Sequence, residues 1–216
     1  MLLQQKTRTL LIAFLMLFLT VALPTQSMAA PLLKWGSSNG DVWDLQYRLQ
    51  VLGYYNKALD GRYGANTVQA VTKFQKDYGL AADGIAGKDT WKKLKTVSVN
   101  QTEMQMLAQI VYSEARGEPY IGQVAVAAVV MNRLQSNLFP NTVKSIIFEP
   151  RAFTAIDDGQ YWLTPDKTAY KAAWDAVRGW DPTNNALYYF NPDTATSKWI
   201  WSRPQIKKIG SHIFSK

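Results

Sequence analysis

Leu107, Ile110 and Val111 recur at helical spacing within a predicted helix over 103–115, and the next position on that face is Glu114. A carboxylate that continues a buried apolar face loses solvation. Its pKa rises and part of it stays protonated near neutrality, as a general acid requires. The same position suits a structural glutamate paired with Arg116 or another cation, and helical geometry alone leaves both readings open. The remaining chemistry is narrow. With no Cys and a single His in 216 residues, disulfides, Cys nucleophiles, thiolate zinc sites and a His cluster around zinc are excluded. No metal and no cofactor are expected. The half that holds Glu114 also carries Glu103, Glu118, Glu149, Asp157, Asp158, Asp166, Asp175, Asp181 and Asp193, none of them on an obviously buried apolar face.

The elements that must hold Glu114 are mainly helical. Periodicity predicts further helices at 121–134, 141–148 and 165–178. The last has a small-residue stripe of Ala169, Ala172, Ala173, Ala176 and Val177, which reads as core packing. Thr102 with Gln105 three residues on has the capping-box arrangement and starts a helix after a short polar joint at 96–101. Tyr188–Asn191 reads as a strand ending at Pro192. His212, in the closing segment, has no visible partner and reads as structural. Arg203, before Pro204, suits either a surface ion pair or a contact with an acidic ligand group.

Residues 1–30 have the order of a secretory signal peptide: Lys6 and Arg8, an apolar run from Leu10 to Leu23, then Ser27 and Ala29 at the small-residue positions of a cleavage site. The run of about 14 residues falls short of the roughly 20 needed to span a bilayer. Cleavage after Ala29 or Ala30 is expected, with an uncleaved anchor as the alternative. The chain carries 24 Lys+Arg against 16 Asp+Glu, and losing Lys6 and Arg8 lowers its charge from +8 to +6. A basic exported protein suits a polyanionic surface such as wall polymer or anionic lipid. Nucleic acid is not an expected partner, and neither is a stable transmembrane anchor.

Asp60–Thr67 and Asp83–Thr90 share the pattern D-G-x-x-G-x-x-T. Each copy is a tight Asp-Gly turn that launches a helix, at 65–78 and 88–94, behind a first helix at 41–52. Three short helices on two such turns make a small bundle. From Gly40 to Leu94 this run resembles, end to end, the three-helix peptidoglycan-binding domain appended to many wall hydrolases. The expected division is 1–30 signal peptide, 31–97 wall-binding domain and 98–216 catalytic domain.

From Val111 to Arg133 the sequence VYSEARGEPYIGQVAVAAVVMNR resembles the opening of the catalytic domain of the spore cortex-lytic enzymes and their cell-wall hydrolase relatives. The likeness continues through F-P-N-T-V at 139–143, F-T-A at 153–155, G-W-D-P at 179–182, A-L-Y-Y-F-N-P at 186–192 and S-K-W-I-W-S-R-P at 197–204. It implies a mainly α (α+β) fold, lysozyme-like and mostly helical with a few short strands, and Glu114 as the catalytic acid. The implied reaction is lytic transglycosylation. One acid/base suffices when the C6 hydroxyl of muramic acid attacks C1 of the same residue and leaves a 1,6-anhydro end. Thr154, Tyr189 and Asn191, on loops or a strand end, are candidates to orient the sugar, with Trp162, Trp199 and Trp201 as stacking platforms or core residues.

Peptidoglycan is the expected partner, together with a regulatory protein the sequence does not identify. The expected location is the cell wall, or the spore cortex and the periphery of the inner spore membrane. The inter-domain joint is shorter than expected of the spore enzymes, which makes germination a weaker implication than wall cleavage. Competing readings are a lysozyme-type muramidase, an N-acetylmuramoyl-L-alanine amidase and a non-catalytic wall-binding protein. The amidase conflicts with the scarcity of His and Cys.

Overall fold

Each Asp-Gly turn of the repeat is closed by a buried glutamine from the helix before it. The computed structural model describes residues 30–216, so the expected signal peptide lies outside the described residues except for Ala30. Helices α1 (Gly40–Val51), α2 (Ala65–Asp77) and α3 (Lys88–Val97) form the first bundle. From α1, the Gln46 amide nitrogen reaches Asp60 Oδ1, the Arg62 carbonyl and Thr67 Oγ1, while its oxygen accepts from the Asp60 and Gly61 N–H groups. Gln75 of α2 repeats the pattern one turn later, with Asp83 Oδ1 at 2.9 Å, the Ile85 carbonyl at 3.0 Å, Thr90 Oγ1 at 3.1 Å and the Gly84 N–H at 2.9 Å. The repeat thus specifies the acceptors of one side chain that arrives from outside it. Gly84 has φ +70° and lies so close to Val68 and Thr72 that a Cβ would clash with both.

Around these turns Leu45, Leu49, Val71, Phe74, Trp91 and Leu94 make a buried core. A Gln75→Leu change keeps the volume but strands the buried Gly84 N–H and removes the donor to Asp83 Oδ1, at a cost of about 2 kcal/mol. Thermal unfolding followed by circular dichroism is expected to show a midpoint lowered by several degrees.

The remainder comprises α4 (Gln101–Ala115), α5 (Tyr120–Gln135), α6 (Val143–Ile147), α7 (Thr154–Asp157), a 3₁₀ turn at Gln160–Trp162, α8 (Lys167–Val177), β1 (Tyr188–Phe190), α9 (Lys198–Trp201), β2 (Gln205–Ile209) and β3 (His212–Ser215). The fold is mainly α with a few short strands. The largely apolar α5 runs through the middle and buries 12 of its 16 residues, with α4 and α8 on it. The Ala stripe of α8 is buried there, because small side chains let the helix backbones approach closely. The three strands form one antiparallel sheet in the order β1-β3-β2, with Tyr189 opposite Phe214 and Ile209 opposite His212.

The start of α4 differs from expectation. Its cap is Asn100, whose side chain accepts from the Glu103 N–H while the Glu103 carboxylate accepts from the Asn100 N–H. Thr102 and Gln105 fit the same sequence pattern two residues later. Arg48 decides between them, because its Nη2 lies 3.0 Å from Glu103 Oε2 and its Nη1 donates to the Ser98 carbonyl. These bonds cross a joint of three residues, 98–100, and lock α1 to α4. Arg178 adds a bond from its Nε to the Val51 carbonyl, and Tyr47 packs edge-on to Trp174. Arg48 is 3% exposed. Arg48→Ala leaves the Ser98 carbonyl without its donor and the Glu103 and Asp44 carboxylates without their cation, at a cost of about 2 kcal/mol after allowing for the partly exposed carboxylates. Scanning calorimetry is expected to show one transition in the parent protein and two separated ones in the variant.

Candidate active site

The apolar stripe of α4 performs as its spacing predicts. Leu107, Ile110 and Val111 are fully buried, and Glu114 extends the same face to the edge of the core, where it is half-buried. Two bonds pin its carboxylate. Oε1 accepts from the Ala155 N–H at 2.8 Å and Oε2 from the Tyr189 hydroxyl at 3.1 Å. The Ala155 N–H is available because it lies in the first turn of α7, where no helical carbonyl takes it. Tyr189 is the middle residue of β1, and its ring is wedged by His212 at 5.1 Å, Phe214 at 5.7 Å and Phe153 at 6.4 Å.

Burial pushes the Glu114 pKa above the usual carboxylate range. The two hydrogen bonds oppose that rise and the nearby Asp158 charge adds to it. Burial also holds the Tyr189 phenol far above its usual range, so it remains a donor to Glu114. Arg116 does not pair with Glu114. Its guanidinium lies over Tyr112 and donates to Gln160 Oε1.

Glu114 opens into a cleft of about 380 Å³ whose wall includes Glu118, Asn191, Ser211 and His212. Sequence reasoning did not select Glu118, and its surroundings explain why. Its carboxylate accepts from the Ser211 N–H at 3.0 Å and from the Ser211 hydroxyl, contacts made across 93 residues. Gly210 makes this approach possible, since a Cβ there would run into the Glu118 carboxylate. His212 lies against it, with Nδ1 3.7 Å from Glu118 Oε1. Burial lowers the His212 pKa while Glu118 raises it, with a net fall, so the imidazole is neutral at neutral pH. The lone His therefore sits in the cleft wall and supports Tyr189 edge-on.

The other sequence candidates divide. Asn191 lines the cleft, although its Oδ1 already accepts from the Asp193 N–H, and Thr154 stands exposed at the head of α7 beside the pinned carboxylate. Trp199 lines a neighbouring cavity and is 54% exposed. Trp162 packs on Phe148 and Tyr161, and Trp201 packs on Phe190 and donates to the Ala195 carbonyl. Neither lines the Glu114 cleft. All three indoles are exposed, which removes the core reading. Arg133 was also missed. It follows Val126, Val129 and Val130 on α5 as Glu114 follows its own stripe, and that break in an apolar face was the available signal.

A pinned, desolvated carboxylate at a cleft in a helical core, beside a small helical bundle, has the form of an acid–base enzyme with an appended module. Residues 117–215 match the Cell Wall Hydrolase family and residues 38–94 a peptidoglycan binding domain. The chain belongs to the spore cortex-lytic enzymes, a family of enzymes that act on the cell wall. It is 50% identical to the spore cortex-lytic enzyme of Bacillus cereus, covering 84% of this chain and 85% of the relative. It is 37% identical to that of Bacillus subtilis, covering 97% and 99%. The latter alignment runs over 302 positions against 216 residues here, so that relative carries length this chain lacks. Among solved structures, the catalytic domain of the germination-specific lytic transglycosylase SleB from Bacillus anthracis superposes with a TM-score of 0.53 at 70% identity, covering 55% of this chain and 97% of that one.

Proposed function

We propose that this protein cleaves spore-cortex peptidoglycan between N-acetylmuramic acid and N-acetylglucosamine by lytic transglycosylation during germination, with Glu114 as its single acid/base. The observation that carries the reading is the seating of Glu114, its pKa raised by burial and its carboxylate held by two donors at an open cleft. The 70% identity to a catalytic domain described as a germination-specific lytic transglycosylase supports the same reaction. Protonated Glu114 gives its proton to the glycosidic oxygen as the bond from C1 of muramic acid breaks. The carboxylate then takes the proton of the C6 hydroxyl as that oxygen bonds to C1, so no water is consumed and Glu114 ends protonated again.

A lysozyme-type hydrolase is the second reading, because Glu118 lines the same cleft. Its oxygens are held by Ser211, and those of Asp158 by the Gln160 N–H and side-chain amide. The two readings differ in whether water or the C6 hydroxyl reaches C1, and the chemistry of the new fragment ends separates them. In this reading Asn191 and Thr154 orient the sugar at the cleft, while Trp199, Trp162 and Trp201 offer faces to the strand beyond it. Residues 1–30 direct export, 31–97 hold the wall and 98–216 cut it, in the wall or cortex.

Digestion of purified cortex followed by mass spectrometry of the fragments tests the proposal. Fragments ending in 1,6-anhydromuramic acid, one water lighter than hydrolysed ends, are expected. Reducing ends would establish the muramidase, and intact glycan with released stem peptides would overturn glycan cleavage altogether.

A further inference from the structure

Tyr189, whose hydroxyl donates to Glu114, also lines a second cavity of about 650 Å³. Its floor is Arg133, at the end of α5 and 5% exposed. The guanidinium is held in place on one side: Nε donates to the Leu187 carbonyl at 2.7 Å, and its carbon lies 5.0 Å from the Phe139 ring centre, 5.1 Å from Phe153 and 5.5 Å from Tyr188. Among the described residues, neither Nη has a hydrogen-bond partner and no carboxylate comes within ion-pair distance. Glu149 lines the cavity without reaching Arg133. Arg151 stands on the same wall, and Arg203 stacks on Tyr188 and Trp199 at 5.0 and 5.4 Å. A cation drawn largely out of water without a counter-ion is expensive unless a ligand completes it. The two free Nη groups present the planar fork that matches a carboxylate, and the aromatic walls suit small apolar groups next to one.

We propose that this cavity is a binding subsite for the free carboxylate of the peptide substituent on muramic acid, held by Arg133. The inference rests on the glycan reading of the Glu114 cleft. The sugars of such a strand are neutral, its carboxylates sit on the peptide substituents, and Tyr189 joins the cavity to the reacting centre. The cavity volume lies within the usual range of ligand sites, so it has room for an amino acid and not for a carboxylate alone.

The test uses the full chain carrying Glu114→Gln, so that ligand is not consumed. Calorimetric titration compares N-acetylglucosaminyl-N-acetylmuramoyl-L-alanine with its C-terminal amide. The acid is expected to bind about tenfold more tightly than the amide. Adding Arg133→Gln is expected to erase that preference, and adding Arg133→Lys to keep part of it. Amide affinity unchanged between the parent and Arg133→Gln shows that the fold survives. Should Arg133→Gln fail to fold, the acid-to-amide ratio of the parent and of Arg133→Lys still decides. Equal binding of acid and amide to the parent, or a preference that survives Arg133→Gln, overturns the subsite. The two readings fail separately: the wild-type protein cutting glycan with no carboxylate preference sinks the subsite alone. A carboxylate preference without glycan cleavage sinks the glycan reading alone.

Discussion

Glu114→Gln is expected to reduce glycan cleavage by about a thousandfold or more while leaving the fold intact. Glutamine keeps the size of the side chain and its Oε1, so the bond from the Ala155 N–H survives, while the amide nitrogen facing Tyr189 can only donate to its hydroxyl and the proton that must be given and retaken is lost. The fold is expected to gain slightly. Burial raises the Glu114 pKa in the folded protein, so the stability linked to this group is fully present below the unfolded value and is lost as pH rises through the folded one. The amide has no charge to desolvate. At neutral pH the variant should therefore melt no lower than the parent, and the difference should vanish in acid. Release of soluble fragments from cortex, set beside melting curves at pH 4 and pH 7, checks both statements. A variant that retains a tenth of the activity would remove Glu114 from the chemistry.

Tyr189→Phe is expected to lower activity about a hundredfold and to move the alkaline limb of the pH–rate profile upward. The phenol donates to the ionised form of Glu114, so the bond favours the carboxylate and restrains its pKa. Without the hydroxyl the pKa rises further. Because cleavage begins with protonated Glu114, the pH above which activity falls must rise with it. The phenyl ring retains the packing against His212, Phe214 and Phe153, so a merely structural role predicts neither the shift nor a loss confined to turnover. Initial rates from pH 4 to pH 9 for parent and variant decide, and an unshifted limb would mean that the Tyr189 bond does not tune the acid.

Much of the helical frame is legible residue by residue. The spacings of Val42, Leu45 and Leu49, of Val71 and Phe74, and of Leu107, Ile110 and Val111 all point inward, because a helix places every third and fourth side chain on one face whatever packs against it. The β2–β3 hairpin was not legible. Lys207 and Lys208 are both exposed, and a bulge between Gln205 and Lys207 breaks the alternation by which a strand is recognised. The helix expected over 141–148 shrinks to Val143–Ile147, since Thr142 caps it with a bond to the Ser145 N–H.

What the sequence determined by itself is what short-range periodicity and turn chemistry can encode: the order of the helices, the two Asp-Gly turns, and a carboxylate and a guanidinium each breaking an apolar face. Only the tertiary structure decided what those two charges meet. Glu114 takes its donors from 41 and 75 residues away, Glu118 is held across 93, and Arg48 selects the cap of α4 across 55. Local pattern says that a charged side chain is drawn out of water. Which groups then compensate it depends on how distant segments close around it, and no spacing along the chain carries that information.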